Sequence, residues 1–332
     1  MGDFMKKILP LVACSLLAFS LIACDTGSND ASAKAPEASS SSVEVSDDLK
    51  SDDYKAPEKE DSQTLLSSLI AALQADENLP TAFGSIYAKI GEAAMANEDI
   101  KGVIADCEDF SAGMGDILAS SADTASESLN INLDEISILD DKENGVEAKI
   151  YNADLSLKAS SDIDNTIPSQ TIGIKAKVDA SANLKVDLEK AADKVAKDSV
   201  LKQVYASASV AGNMDVVQTT KLTTATDTDT DVSVIYSGSL NVSADAGITA
   251  SFLVDNTAGI LVVNGNAKIN LDDSSLNNVE ETVNLLEYLE GNLIFTIYDV
   301  NGTKIDSQTV ELKDFITSMM PKDNTDSNSD SE

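Results

Sequence analysis

The chain has 332 residues and a formal charge of −34, with 57 acidic against 23 basic residues, no His and no Trp. Every basic residue is a lysine, since the sequence holds no Arg. The missing imidazole excludes Ser-His and Cys-His nucleophile pairs and the commonest zinc ligand, the missing guanidinium removes the bidentate fork for phosphates, and the charge excludes nucleic acid.

The first segment joins Lys6 and Lys7 to an apolar run from Ile8 to Ile22, closed by Leu21-Ile22-Ala23-Cys24. A helix of about 15 residues would span only ~22 Å at 1.5 Å per residue. That is short of a ~30 Å hydrocarbon core, so residues 1–23 suit an export signal better than a permanent span. Pro10 stands at the amino end, where a helix tolerates it. Met5-Lys6-Lys7 is a second, more basic start than Met1, which is followed by Asp3. Gly2 lacks the Ser or Thr four residues on that N-myristoylation needs, because Lys6 stands there.

Basic start, short apolar segment, small residue and Cys together resemble the lipobox of bacterial lipoprotein precursors. The resemblance implies cleavage between Ala23 and Cys24, acyl chains (a palmitate among them) on Cys24, and attachment to a bacterial cell membrane. Asp25 after that Cys implies inner-membrane retention in enteric bacteria, a rule that differs among bacterial groups, so inner and outer membrane both stay open.

Residues 24–61 hold Ser39-Ser40-Ser41-Ser42, Pro36, Pro57 and many acids, with Val43, Val45 and Leu49 among few large apolar residues. Such composition buries too little surface to offset chain entropy, so it predicts a disordered tether. A flexible coil of that length spans roughly 30–36 Å. The acidic tail 321–332 reads the same way.

From 62 to 123 the pattern is helical. Leu65, Leu66, Leu69, Ile70 and Leu73 form one stripe. Pro80 interrupts it, then Phe83, Ile86, Tyr87 and Ile90 continue, followed by Val103, Ile104, Cys107, Met114, Ile117 and Leu118. Cys14 lies in the export signal and Cys24 is the acylation candidate, which leaves Cys107 no internal disulfide partner. Beside Ile104 and Phe110 it reads as a small packed hydrophobe.

From 128 to 312 the period is two. Ile131, Leu133, Ile136 and Ile138 start it with one slip; Ala148 and Ile150, then Ala153, Leu155 and Leu157, form the next strand. Ile172 to Leu188 alternates without a miss, and Val204 to Val216, Val232 to Val254, Leu261 to Leu271, Leu293 to Ile297 and Val310 to Leu312 follow. Alternation means one face buried and one in water. The run 232–254 would be about 75 Å long at ~3.3 Å per residue, so bends or close approaches are expected at Gly238 and Gly247. Helical spacing returns near 189–201 (Ala192, Val195, Ala196, Val200) and 274–289 (Leu276, Val279, Val283, Leu286, Leu289).

The fold class is therefore α+β: a long curved antiparallel sheet covered by helices, within one domain, 62–320. Asn144-Gly145 and Asn301-Gly302 are hairpin turns. Thr226-Asp227-Thr228-Asp229-Thr230-Asp231 resembles half a calcium loop, but Val232 and Gly238 stand where Gly and Glu are required, so it reads as a polar hairpin tip. No catalytic residue, cofactor or metal ligand emerges, and too few strands and no aromatic girdles speak against a membrane barrel. The reading is a non-enzymatic, membrane-anchored envelope lipoprotein with a structural or interaction role. Its alternatives are a surface adhesin and a carrier of a lipid or other apolar ligand between sheet and helices. The last resembles half-barrel lipoprotein carriers in layout only.

Overall fold

The structure, a computed structural model, describes residues 36–76, 79–119, 124–164, 169–191, 199–226, 229–277 and 287–319, with the side chains at 118–119, 222–226, 229–232, 276–277 and 318–319 left aside. The export signal, Ala23, Cys24, the tail 321–332 and the tip 227–228 lie outside the described residues.

Nine antiparallel strands form one sheet: β1 Thr124–Leu133, β2 Ile136–Asp141, β3 Val146–Asp164, β4 Ser169–Asp187, β5 Leu201–Thr226, β6 Asp229–Val254, β7 Thr257–Leu271, β8 Leu289–Tyr298 and β9 Lys304–Glu311. Their order is β1-β3-β4-β5-β6-β7-β8-β9, with β2 pairing the other stretch of β3. Ile131 to Ile138 is thus two strands rather than one with a slip: Asp134 and Glu135 separate them, and both pair with β3. The slip lies in β3 itself. Its register shifts between Ile150 and Asn152, so Ala148 and Ile150 share the buried face with Ala153, Leu155 and Leu157.

One register runs across the sheet through Val146, Val186, Val204, Ala250, Leu261 and Ile297. It defines a near end, where the turns 142–145, Asp255–Asn256 and 299–303 lie. From there β5 and β6 run as one hairpin to the far end, closed at the pair Thr226–Asp229.

Helices α1 Ser62–Ala75, α2 Leu79–Ala96 and α3 Glu98–Ala119 lay their apolar stripes on the sheet's apolar face near that end. Leu65 and Leu69 of α1 pack on Phe252, Val254 and Ile297. Ile86 and Ile90 of α2, with Val103, Phe110, Met114 and Ile117 of α3, pack on Leu129, Ile131, Ile136, Ile138 and the inward residues of β3 and β4. Cys107 is half-buried against this core.

Three boundaries differ from expectation. The helix expected at 189–201 is described only as α4 Leu188–Ala191, because residues 192–198 lie outside the described residues, and Leu201 already begins β5. The helix expected at 274–289 is described only as α5 Asp273–Asn277, and Leu289 is already a strand residue. Both ends pair with neighbours, Leu201 with Phe252 and Leu289 with Ile269, and ladder pairing overrides helical spacing there. The sheet also starts earlier than 128, at Thr124, because β1 pairs with β3 throughout. A last helix, α6 Leu312–Met319, sets Phe315 against Phe295 with ring centroids 6.3 Å apart.

Neither expected bend shifts the register: pairing continues through Gly238–Val216 and Gly247–Ser207. Gly238 has φ +123°, and its N–H is donated sideways to Asp273, the first residue of α5.

Candidate functional site

The face of the sheet opposite the helices carries the alternate, mostly polar residues. Composition predicts that residues 24–61 hang free as a tether. Instead, residues 36–45 lie as a strap across the near end of this face, and the chain then passes the end of the sheet at Lys55 to reach the helix-bearing face at Pro57 and Ser62. The Tyr205 hydroxyl donates to the Pro36 carbonyl at 2.6 Å. The Thr249 hydroxyl donates to the Ser39 carbonyl at 3.0 Å, and the Glu44 N–H to the Gln203 side-chain oxygen at 2.9 Å. Ala38 and Val43 are buried with Tyr205, Ile260 and Val262, and Val45 and Tyr298 pack beside them.

Further along, Leu49 is buried in a short turn of helix, Asp47–Lys50. Lys55 then joins the sheet as a one-residue parallel strand beside Thr257: its N–H reaches the Asn256 carbonyl at 2.8 Å, and its own carbonyl accepts from Ala258 at 3.0 Å. Pro57 is buried over Gly259. The strap ends where the Ser62 hydroxyl, at the start of α1, donates to Asp306 of β9 at 2.5 Å. That bond holds the Asp306 carboxyl below its ordinary range.

Two features of the sheet accommodate the strap. Gly247 supplies the gap: a Cβ there would stand 2.5 Å from the Ala38 Cβ and 2.7 Å from the Ser207 hydroxyl. The turn Asp255–Asn256, with φ +48° and +61°, closes β6–β7 in two residues and offers the carbonyl that Lys55 meets.

Beyond the strap the face is amide-rich. One cross-strand row reads Asn152, Ser181, Ser209, Asp245, Asn266 and Asn292. The Asn152 side chain anchors the β3 bulge by donating to both the backbone carbonyl and a carboxylate oxygen of Asp179 at 3.1 Å. Charges on this face pair locally, as in Lys149–Glu135 and Lys175–Asp215, each at 2.6 Å. The Glu135 bond holds the Lys149 ammonium above its ordinary pKa.

The expected turns fall where their residue types require. Gly145 takes φ +70° and Gly302 φ +84°, and the Gly302 N–H donates to the Asp299 carbonyl at 3.0 Å. The calcium-like segment 226–231 brackets the β5–β6 tip. Among the described residues no group of three or more Cys, Asp or Glu is placed to hold a metal, and no helix is long and apolar enough to cross a membrane.

The residues missed from sequence are Tyr205, Thr249, Gln203 and Ala38, all serving the strap. The available signal was that Val43, Val45 and Leu49 are large and apolar inside a polar stretch.

Fold and site thus define an α+β protein built on one large antiparallel sheet, with helices on one face and an N-terminal strap that starts on the other and wraps round the near end to meet them. Compared with family models, curated proteins and solved structures, the chain matches none.

Proposed function

We propose that this chain is a bacterial cell-envelope lipoprotein, held to a membrane by acyl chains on Cys24 and serving a non-catalytic structural or interaction role. The Leu21-Ile22-Ala23-Cys24 sequence behind a short apolar run carries the reading. In it the sheet is curved, the helices cover its apolar face, and the amide-rich face is what a partner meets. The strongly acidic body supports acyl chains, rather than the protein surface, as the hold on an anionic bilayer. Cys24→Ala should move the protein from the membrane to the soluble fraction and abolish palmitate labelling. Unchanged fractionation of the variant would refute the anchor.

One observation favours the carrier reading as a second choice. Ile248 sits on the apolar face between Ala206 and Val263, yet it is 45% exposed. The residues around it, Ala206, Ala246 and Gly265, are small, which leaves room for an apolar ligand. Native mass spectrometry of the detergent-free Cys24→Ala protein should then detect bound lipid. Its absence removes this reading and leaves the first intact.

A further inference from the structure

We infer that the docked strap orients the anchored protein, with the near end of the sheet toward the membrane and the β5–β6 hairpin pointing away from it. This rests on the lipoprotein reading. The argument is one of reach. Pro36, the first strap residue seated on the sheet, is bonded to Tyr205 close to the start of β5. Only twelve peptide steps separate it from Cys24. At ~3.6 Å per step they reach at most about 43 Å. From Tyr205 the strand runs on to Thr226, 21 residues further along β5, which is about 70 Å at ~3.3 Å each. With β5 extended over that length, the acylated residue falls short of the hairpin tip by roughly 27 Å.

A free tether from 24 to 61 would impose no such limit. Its 37 peptide steps reach about 130 Å at ~3.5 Å each, more than the length of the sheet, and either end could then face the lipid. Docking at Tyr205, Thr249 and Gln203 removes that freedom. The chain as a whole is strongly acidic, so repulsion from anionic headgroups opposes flat adsorption of the body. At the near end Asp140, Asp187 and Glu189 are paired with Lys142, Lys190 and Lys202. A partner approaching from outside meets the far arm first, including the half-exposed Ile235 of β6.

The test places one fluorophore at a time on the full chain in a Cys107→Ser background. Near-end labelling uses Glu143→Cys and far-end labelling Ser233→Cys, both exposed positions. With the acylated protein in vesicles of phosphatidylglycerol and phosphatidylethanolamine, energy transfer to a headgroup acceptor should be several-fold stronger from the near label. Adding Gly247→Leu, which displaces the strap, should shrink the difference while membrane binding persists. Equal transfer from both labels with the strap in place, or stronger transfer from the far one, would overturn the orientation while leaving the anchor standing. A protein that never binds the vesicles would instead fail the lipoprotein reading on which the orientation rests.

Discussion

Gly247 and Ala38 lie in contact across the strap-sheet junction, so close that the glycine position has no room for a Cβ, which would come within 2.5 Å of the alanine methyl. The pair is the point where a polar N-terminal segment becomes part of the fold. Around it Tyr205, Ile260 and Val262 close over Val43, and the hydroxyls of Tyr205 and Thr249 donate to the strap carbonyls of Pro36 and Ser39.

Gly247→Val should therefore dislodge the strap without unfolding the sheet. Overpacking of this kind destabilises by about 1–3 kcal/mol. Limited proteolysis should show new cleavage within 36–56, with far-ultraviolet circular dichroism unchanged. An unaltered cleavage pattern would mean that the strap does not pass over Gly247.

Tyr205→Phe keeps the ring in its apolar cluster and deletes the 2.6 Å bond to Pro36. A loss of about 0.5–1.5 kcal/mol is expected. In hydrogen exchange the Glu44 amide, which donates to Gln203, should become faster, whereas amides in β4 should not.

Gly238→Ala tests the backbone beside α5. At φ +123° a Cβ would lie 1.8 Å from the Asp215 carbonyl oxygen, so β5 or β6 must move. A non-glycine residue forced into such backbone destabilises by about 1–3 kcal/mol. Thermal unfolding should report this, and Asp273→Ala, which removes the acceptor of the Gly238 N–H without adding a Cβ to that backbone, should be milder.

Asp272 is held at a pKa of about 2, against an ordinary 3.8, by the Ser275 N–H and then the Ser274 and Ser275 hydroxyls. A depressed carboxylate contributes stability that is fully present above its unfolded pKa and lost as pH falls through the folded one. Stability from this cap should fade between pH 3.8 and about 2. Asp272→Asn should flatten the acid limb of a pH-stability curve in that window, and an NMR titration of the Asp272 carboxyl supplies the direct readout.

Ser62→Ala removes the 2.5 Å donor that holds the Asp306 carboxyl low. Its titration should move back up toward the ordinary carboxylate range. A titration that does not move would show that the backbone N–H of Ser307, the next contributor, carries the effect instead.

Much of the sheet was legible because alternation is a local signal. Ile172 to Leu188 alternates without a break, and β4 covers 169–187. Asn144-Gly145 and Asn301-Gly302 announce turns by residue type alone, and the helical stripes of α1 to α3 were visible in Leu65, Leu69, Ile86 and Ile90. The stretches 189–201 and 274–289 have helical spacing and are described as helix at 188–191 and 273–277, but each ends in a residue that a neighbouring strand captures. Leu201 goes to Phe252 and Leu289 to Ile269. Such pairing joins positions far apart in the chain, which no window of local residues contains.

The strap was the least legible feature. Averaged over 24–61, composition argues for a free chain, and that average hides Ala38, Val43 and Leu49, which the structure buries.

Local order along the chain by itself determined the elements that depend on period and residue type: strands, helical stripes, glycine turns, and the apolar run closed by Cys24. Tertiary structure alone decided which face of the sheet each segment occupies, where β3 bulges at Tyr151, and that residues 36–61 belong to the body. The physical reason is that burial of an otherwise polar segment depends on a complementary surface, here Tyr205, Gly247 and Thr249, and those residues meet the strap only once the sheet has assembled.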